Sequence, residues 1–237
     1  MAKQSREQRD GWGAAVYADD GAWLVAKRPA CAEDDARFAS AALTTAGVVL
    51  VAHVRARTVG AVSAANTHPF HRDGWVFAHN GTVHDVLHLE CHTSSRRLRE
   101  REGETDSETL FAYLLTRLDE CALTRSSASV AIDAAVGRAV AELTVRGVGS
   151  MNFVLSNGTL LYAHRCGQPL YLLDRLGCAA RPASVLVASE PITAEAWVPL
   201  EDLSLVRCSR SRGLAVRFIR GTDLRASAPG VDQPFTR

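Results

Sequence analysis

The side chains able to do chemistry fall into groups whose spacing differs in how much it says. His84, His88 and His92 repeat every fourth position, which would stack them on one face of a helix, where two histidines four apart can hold zinc. Asp85 stands where a zinc-protease helix carries glutamate after the first histidine, so the spacing predicts a half-exposed polar face and no metal site. Cysteines at 31, 91, 121, 166, 178 and 208 have scattered spacing and no Cys-x-x-Cys, and read as free thiols of a reducing compartment. Gly147-Val148-Gly149-Ser150-Met151 does not fit the Gly-x-Ser-x-Gly elbow of a serine hydrolase. Four further segments are informative jointly: Asp10–Gly13, Ala52–Arg55, Asn66–Phe70 followed by Phe77–Gly81, and Gly103–Glu108. Taken singly, Asn80-Gly81 is a strand-ending turn, Arg55 a surface arginine and Asp106 a helix-start residue. Their order along one chain is far more specific.

The elements that must position them are legible in the hydrophobic pattern. Ala14–Tyr17 and Ala22–Lys27 flank Asp19-Asp20-Gly21 as a hairpin. Alanine-rich Ala32–Thr45, acidic at its front, suits a helix. The β-branched run Gly47–Val54 predicts a strand covered on both faces, with Arg55 at its end. Gly60–Asp73 reads as a loop, and Trp75–Ala78 as a buried strand stopped by Asn80-Gly81. Thr105-Asp106-Ser107-Glu108 has the spacing of a capping box and opens a helix with Leu110, Phe111, Leu114, Leu115 and Leu118 on one face. A second helix from about Ser129 to Val145 turns Val136, Val140 and Leu143 inward. Strands are then expected at Met151–Leu155 and Thr159–Ala163 around Asn157-Gly158, and at Leu170–Leu173, Ser184–Ala188, Leu203–Cys208 and Leu214–Ile219. Strands, two helices, then strands again argue for an α+β fold with helices packed outside sheets.

The composition excludes several classes. The chain has 237 residues, long enough for one well-buried domain, here placed at 1–220 with a polar tail at 221–237. A net charge of +1 gives no electrostatic case for nucleic acid or an anionic membrane. No apolar stretch is long enough to span a bilayer, and the first six residues carry no signal-peptide core, so a cytoplasmic location is expected.

The four segments, with Met151–Gly158 and Val187–Thr193 later in the chain, resemble the class II, N-terminal-nucleophile glutamine amidotransferases, in the branch of compact single-domain members. The resemblance runs through the whole chain. It implies a four-layer α-β-β-α sandwich of two antiparallel sheets, and hydrolysis of the glutamine side-chain amide without metal or organic cofactor. It also implies residue roles. Arg55 would grip the substrate α-carboxylate with a two-pronged charged hydrogen bond, and Asp106 would take the α-ammonium. The Asn80 side chain and the Gly81 N–H would form the oxyanion hole. Thr67 and His68 would line the pocket. The free α-amine of the nucleophile serves as base in this family, so His53, His68, His71 and His79 receive no such role.

One feature of the family is missing. Its members carry cysteine directly after the initiator methionine, and removing the methionine frees both the thiol and the amine that activates it. Residue 2 here is alanine, and Gln4–Asp10 resembles a family segment that lies some tens of residues after the start. The nucleophile-bearing first strand is therefore expected to be absent and this chain inactive as it stands. Freeing Cys31 instead would require cleavage after Ala30, discarding Asp10–Gly13. The leading expectation is a true start upstream. The alternatives are a non-catalytic homologue that binds glutamine or a γ-glutamyl compound, and a truncated fragment with an open sheet edge. The expected partners are glutamine or a γ-glutamyl small molecule and, if released ammonia is used, a separate synthase subunit.

Overall fold

The computed structural model describes residues 6–178, 182–210 and 215–219. The expected tail at 221–237 lies outside the described residues. β1 (Gly11–Tyr17) and β2 (Trp23–Arg28) form the expected hairpin, and β3 (Val49–Arg55) pairs on the other side of β1, giving an antiparallel sheet in the order β2-β1-β3. β4 (Phe70–Arg72), β5 (Trp75–Val83), β6 (Gly149–Ser156), β7 (Leu160–His164), β11 (Leu205–Ser209) and β12 (Ala215–Ile219) build a six-stranded sheet, β12-β11-β7-β6-β5-β4. A third sheet joins β8 (Tyr171–Arg175), β9 (Ser184–Ala188) and β10 (Val198–Pro199) in the order β10-β8-β9.

Both small sheets pack on one face of the large one. Ala15 and Val51 meet Val76 and Ala78 of β5, while Leu172, Val185 and Val187 pack in the cluster of Ala163, Val206 and Cys208. Val154 of β6 packs against both clusters. The opposite face of the large sheet carries α4 (Asp106–Glu120) and α5 (Ser129–Arg146) over the main core. There Phe77 stacks on Phe111 at 5.2 Å between centroids and touches Phe153 at 5.5 Å. The chain thus has the N-terminal-nucleophile sandwich architecture, with one departure. The second sheet is split into two three-stranded pieces, because no described strand lies between them.

Local chemistry accounts for the element ends. The Thr105 hydroxyl accepts from Glu108 N–H, as a capping box requires. Glu108 does not reach back to the cap. Its carboxylate accepts from the N–H groups of Glu102 and Gly103, tying the incoming loop to the helix. α4 is buried on nearly its whole circumference, not along one stripe, because α2 (Val86–Cys91) and α3 (Ser95–Arg99) cover its outer side. In the β6–β7 turn only Gly158 takes a left-handed φ, at 87°, and the Asn157 carboxamide oxygen accepts from Thr159 and Leu160 N–H.

Four expectations need correction. β3 is not covered on both faces: α1 (Ala36–Thr44), shorter than expected and capped by Asp35, shields Trp12 and Val54 but leaves Leu50 61% exposed. β5 does not stop at Asn80-Gly81 but pairs with β6 through Val83↔Gly149. His84 precedes α2, whose cap is Asp85, so the three histidines share no helix face. The 60–73 loop contains a short strand, β4, held by Phe70↔Phe77.

Candidate active site

Arg55 ends β3 on the face that looks toward the large sheet, and is only 4% exposed. Its guanidinium donates to the carbonyls of Val59, at 2.7 Å, and Ala61, at 3.0 Å. Among the described residues no carboxylate bonds it, and burial lowers its pKa, with Asp10 pulling the other way. A buried cation held only by neutral carbonyls is half-compensated and suited to meeting an anion.

Asp106 is the first residue of α4, where the helix dipole favours negative charge. It is 6% exposed; one oxygen accepts from Val83 N–H at 2.7 Å and the other lies 3.4 Å from the Ser107 hydroxyl. No cation bonds it among the described residues.

Asn66 joins the neighbourhoods of these two charges. Its amide donates to Ala61 C=O, the carbonyl that also receives Arg55, and its oxygen accepts from Glu104 N–H, two residues before Asp106. Gly103 leaves the room for this, since a Cβ there would collide with the Asn66 oxygen. Asn66 was quoted in the sequence motif without a role; its work is to fix the distance between two segments far apart in sequence.

Asn80 and Gly81 lie side by side on β5. Strand alternation places Asn80 on the face of Val76 and Ala78, toward β3, while His79 points to the helices. Asn80 is exposed and its side chain bonds no described residue. Gly81 is required: a Cβ would strike the Ser150 carbonyl and the His79 ring. His79 staples this strand end, with one ring nitrogen 2.9 Å from Ser107 Oγ and the other 3.1 Å from Ser150 O.

Thr67 and His68 are less available. The Thr67 hydroxyl is fully buried and donates to Ser63 C=O, under Gly11. His68 packs edge-on against His53 and Phe70, and its Nε2 finds no hydrogen-bond partner among the described residues. The three imidazoles are held neutral by burial, which lowers His53 to about 4 and lowers His68 and His79 in the same sense. Between about 4 and 6.5 the unfolded chain therefore binds protons that the folded chain refuses, and stability rises with pH across that window. The urea midpoint is expected to fall as the pH drops from 6.5 toward 4, and His53→Asn should flatten the profile. A midpoint independent of pH there would contradict neutral burial.

Burial pushes the Cys208 thiol up to about 11 and raises Cys166, whose sulfur faces Gly149 C=O. No three His, Cys, Asp or Glu side chains gather as a metal site among the described residues. No described helix is long and apolar enough to cross a membrane.

The paired-sheet sandwich thus carries a buried guanidinium at the end of β3, a buried carboxylate at the start of α4 and an exposed carboxamide on β5. The chain belongs to the class-II glutamine amidotransferases, whose family pattern matches residues 1–182. It is 29% identical over 170 residues to a Haemophilus influenzae protein assigned as a glutamine amidotransferase, covering 70% of this chain and 55% of that one. The chain thus spans about half the length of that relative. It is also 29% identical to the gamma-glutamyl-hercynylcysteine sulfoxide hydrolase of Mycolicibacterium smegmatis, over 83% of this chain and 76% of that protein. The structure of a glutamine aminotransferase class-II domain protein from Silicibacter pomeroyi superposes with a TM-score of 0.65 at 23% identity, covering 87% of this chain and 97% of that one.

Proposed function

We propose that this chain forms the glutamyl-binding and oxyanion-stabilising part of an amide hydrolase acting on glutamine or a γ-glutamyl compound. The observation that carries the reading is a pair of opposite buried charges, Arg55 and Asp106, each without a bonded counter-ion among the described residues and tied together through Asn66. A free amino acid head group supplies both missing partners at once, its carboxylate to the guanidinium and its ammonium to the carboxylate. The side chain then extends toward Asn80 and Gly81, where a paired amide cradle meets the γ-carbonyl oxygen.

The chemistry itself needs a cysteine with a free α-amine. The amine takes the thiol proton, sulfur attacks the carbonyl carbon of the side-chain amide, and the carbonyl electrons move onto an oxygen held by the Asn80 side chain and Gly81 N–H. Collapse expels ammonia or an amine that leaves with that proton, and water then cleaves the γ-glutamyl thioester to glutamate and thiol. Likeness to a γ-glutamyl hydrolase favours small γ-glutamyl substrates alongside glutamine. If ammonia is the useful product, a separate synthase subunit would accept it.

The 237-residue chain alone is expected to release no ammonia from L-glutamine. Release by the pure protein, abolished by iodoacetamide, would show that one of its own cysteines is the nucleophile. A second reading is a non-catalytic homologue that binds glutamine without cleaving it. A form extended at its N-terminus with a cysteine-headed strand separates the two: the enzyme reading expects ammonia release, the binding reading expects none.

A further inference from the structure

We propose that His79 and Ser107 are positioning residues that set the state of the Asp106 carboxylate: the neutral imidazole draws the Ser107 hydroxyl proton onto its Nδ1 and leaves one oxygen of Asp106 open to a ligand ammonium, and a proton added to that ring releases the hydroxyl to close it. The role of Asp106 toward an ammonium rests on the proposed function; the relay rests on the hydrogen-bond geometry.

Three groups stand in line. The Ser150 carbonyl, on β6, can only accept, so the imidazole nitrogen 3.1 Å from it, Nε2, carries the ring proton. A neutral ring then has a bare Nδ1, and the Ser107 hydroxyl 2.9 Å away donates to it. A hydroxyl has a single proton. Ser107 therefore has none left for Asp106 Oδ1, which it approaches only to 3.4 Å. The Val83 N–H serves the other oxygen, Oδ2, at 2.7 Å. Among the described residues nothing else donates to Oδ1, so a carboxylate only 6% exposed keeps one oxygen without a donor. A buried charged acceptor is costly to leave bare, and a ligand ammonium removes that cost.

Protonation reverses the line. With a proton on Nδ1 the imidazolium donates to Ser107 Oγ, and the hydroxyl proton turns to Asp106 Oδ1. The open oxygen gains a donor, and the carboxylate gains a positive charge one hydroxyl away. Both weaken its hold on an ammonium. The neutral ring is the ordinary state, because burial lowers the His79 pKa against the pull of the Ser150 carbonyl and the Asp106 charge. The other titratable groups near the ring are His53 on β3 and His68 ahead of β4, each of which feels a charge on His79, while β6 offers the Ser150 carbonyl. Ammonium and proton thus compete: affinity for an ammonium ligand is full above the His79 pKa and falls as the pH drops through it. The same ring lies under Gly81, its Nε2 2.9 Å from where a Cβ would stand. The imidazole that sets the carboxylate therefore also borders the proposed oxyanion cradle.

The test compares L-glutamine with glutaramic acid, which lacks only the α-amine, by calorimetry on the 237-residue protein from about pH 7.5 to about pH 4.5, counting the ionised form of the acid. The ratio of the two affinities isolates the ammonium, because changes at His53, His68 and Arg55 act on both ligands. The ratio is expected to be at least about tenfold at the upper pH and to fall at least about fivefold once the ring is protonated. The fall should share its midpoint with the titration of His79 in nitrogen NMR spectra of the imidazoles, and those spectra should show the Nε2–H tautomer at the upper pH. His79→Gln, which cannot take the proton, should hold the ratio level. Ser107→Ala, which has no hydroxyl proton to hand over, should lose most of the acid fall whatever its affinity at the upper pH. Should His79→Gln not fold, the tautomer and Ser107→Ala decide. The Nδ1–H tautomer would overturn the relay without reference to any ligand. No preference for glutamine at the upper pH, with the Nε2–H tautomer in place, would sink the glutamyl reading and the relay's role with it. A preference that ignores pH, or an acid fall equally large in Ser107→Ala, would overturn the relay and leave the glutamyl reading standing.

Discussion

Replacing Arg55 by alanine is expected to weaken L-glutamine binding at least a hundredfold. The side chain is 4% exposed, and no described carboxylate bonds it, so the bound carboxylate would be its ionic partner. Removing one member of a buried charge pair typically costs about 3–5 kcal/mol, and each 1.4 kcal/mol is a factor of ten in affinity. Ligand binding is followed by calorimetry. Alanine also frees the Val59 and Ala61 carbonyls, so Arg55→Lys is the companion variant. Lysine keeps the charge but loses the planar fork, and should bind about tenfold more weakly than the native protein. Unchanged affinity in both variants would remove Arg55 from the site.

The second large effect falls on Asn80. In a form extended with a cysteine-headed strand, Asn80→Ala should lower kcat by about a hundred- to a thousandfold with little change in KM, the signature of a donor used only in the transition state. Asn80 is suited to this test because it is exposed and its side chain bonds no described residue, so alanine should change stability by no more than about 0.5 kcal/mol. Gly81→Ala would be a poor substitute, since its Cβ collides with the Ser150 carbonyl and the strand itself would be disturbed. A kcat within a few-fold of the parent would exclude Asn80 as an oxyanion donor.

The fold was largely legible where the sequence repeats a simple period. The 3.6-residue pattern of α4 and α5 and the Asn157-Gly158 turn appear close to where they were read. Misreadings occurred where tertiary context decides. β3 looked buried on both faces because its run is continuously apolar, yet Leu50 faces solvent, since α1 is too short to reach it. Asn80-Gly81 looked like a strand end because the pair favours turns, but cross-strand pairing to Asn152 and Met151 carries β5 onward. Of the proposed site, Arg55, Asn80, Gly81 and Asp106 could be singled out through motif resemblance. Asn66, His79 and Ser107 escaped, because their roles are bonds to segments distant in sequence, which no local pattern encodes. The split of the second sheet could be anticipated only as an open edge; which strands flank it depends on how the sheets pack.

The central claim is that one cation and one anion, locked in register by Asn66, hold the two ends of a glutamyl head group. A calorimetric cycle tests it most directly, comparing L-glutamine with γ-aminobutyramide, which lacks only the carboxylate, on the native protein and on Arg55→Ala. The account predicts that the native protein prefers glutamine by at least about a hundredfold and that the variant binds the two ligands alike. Discrimination that survives intact in Arg55→Ala would contradict it.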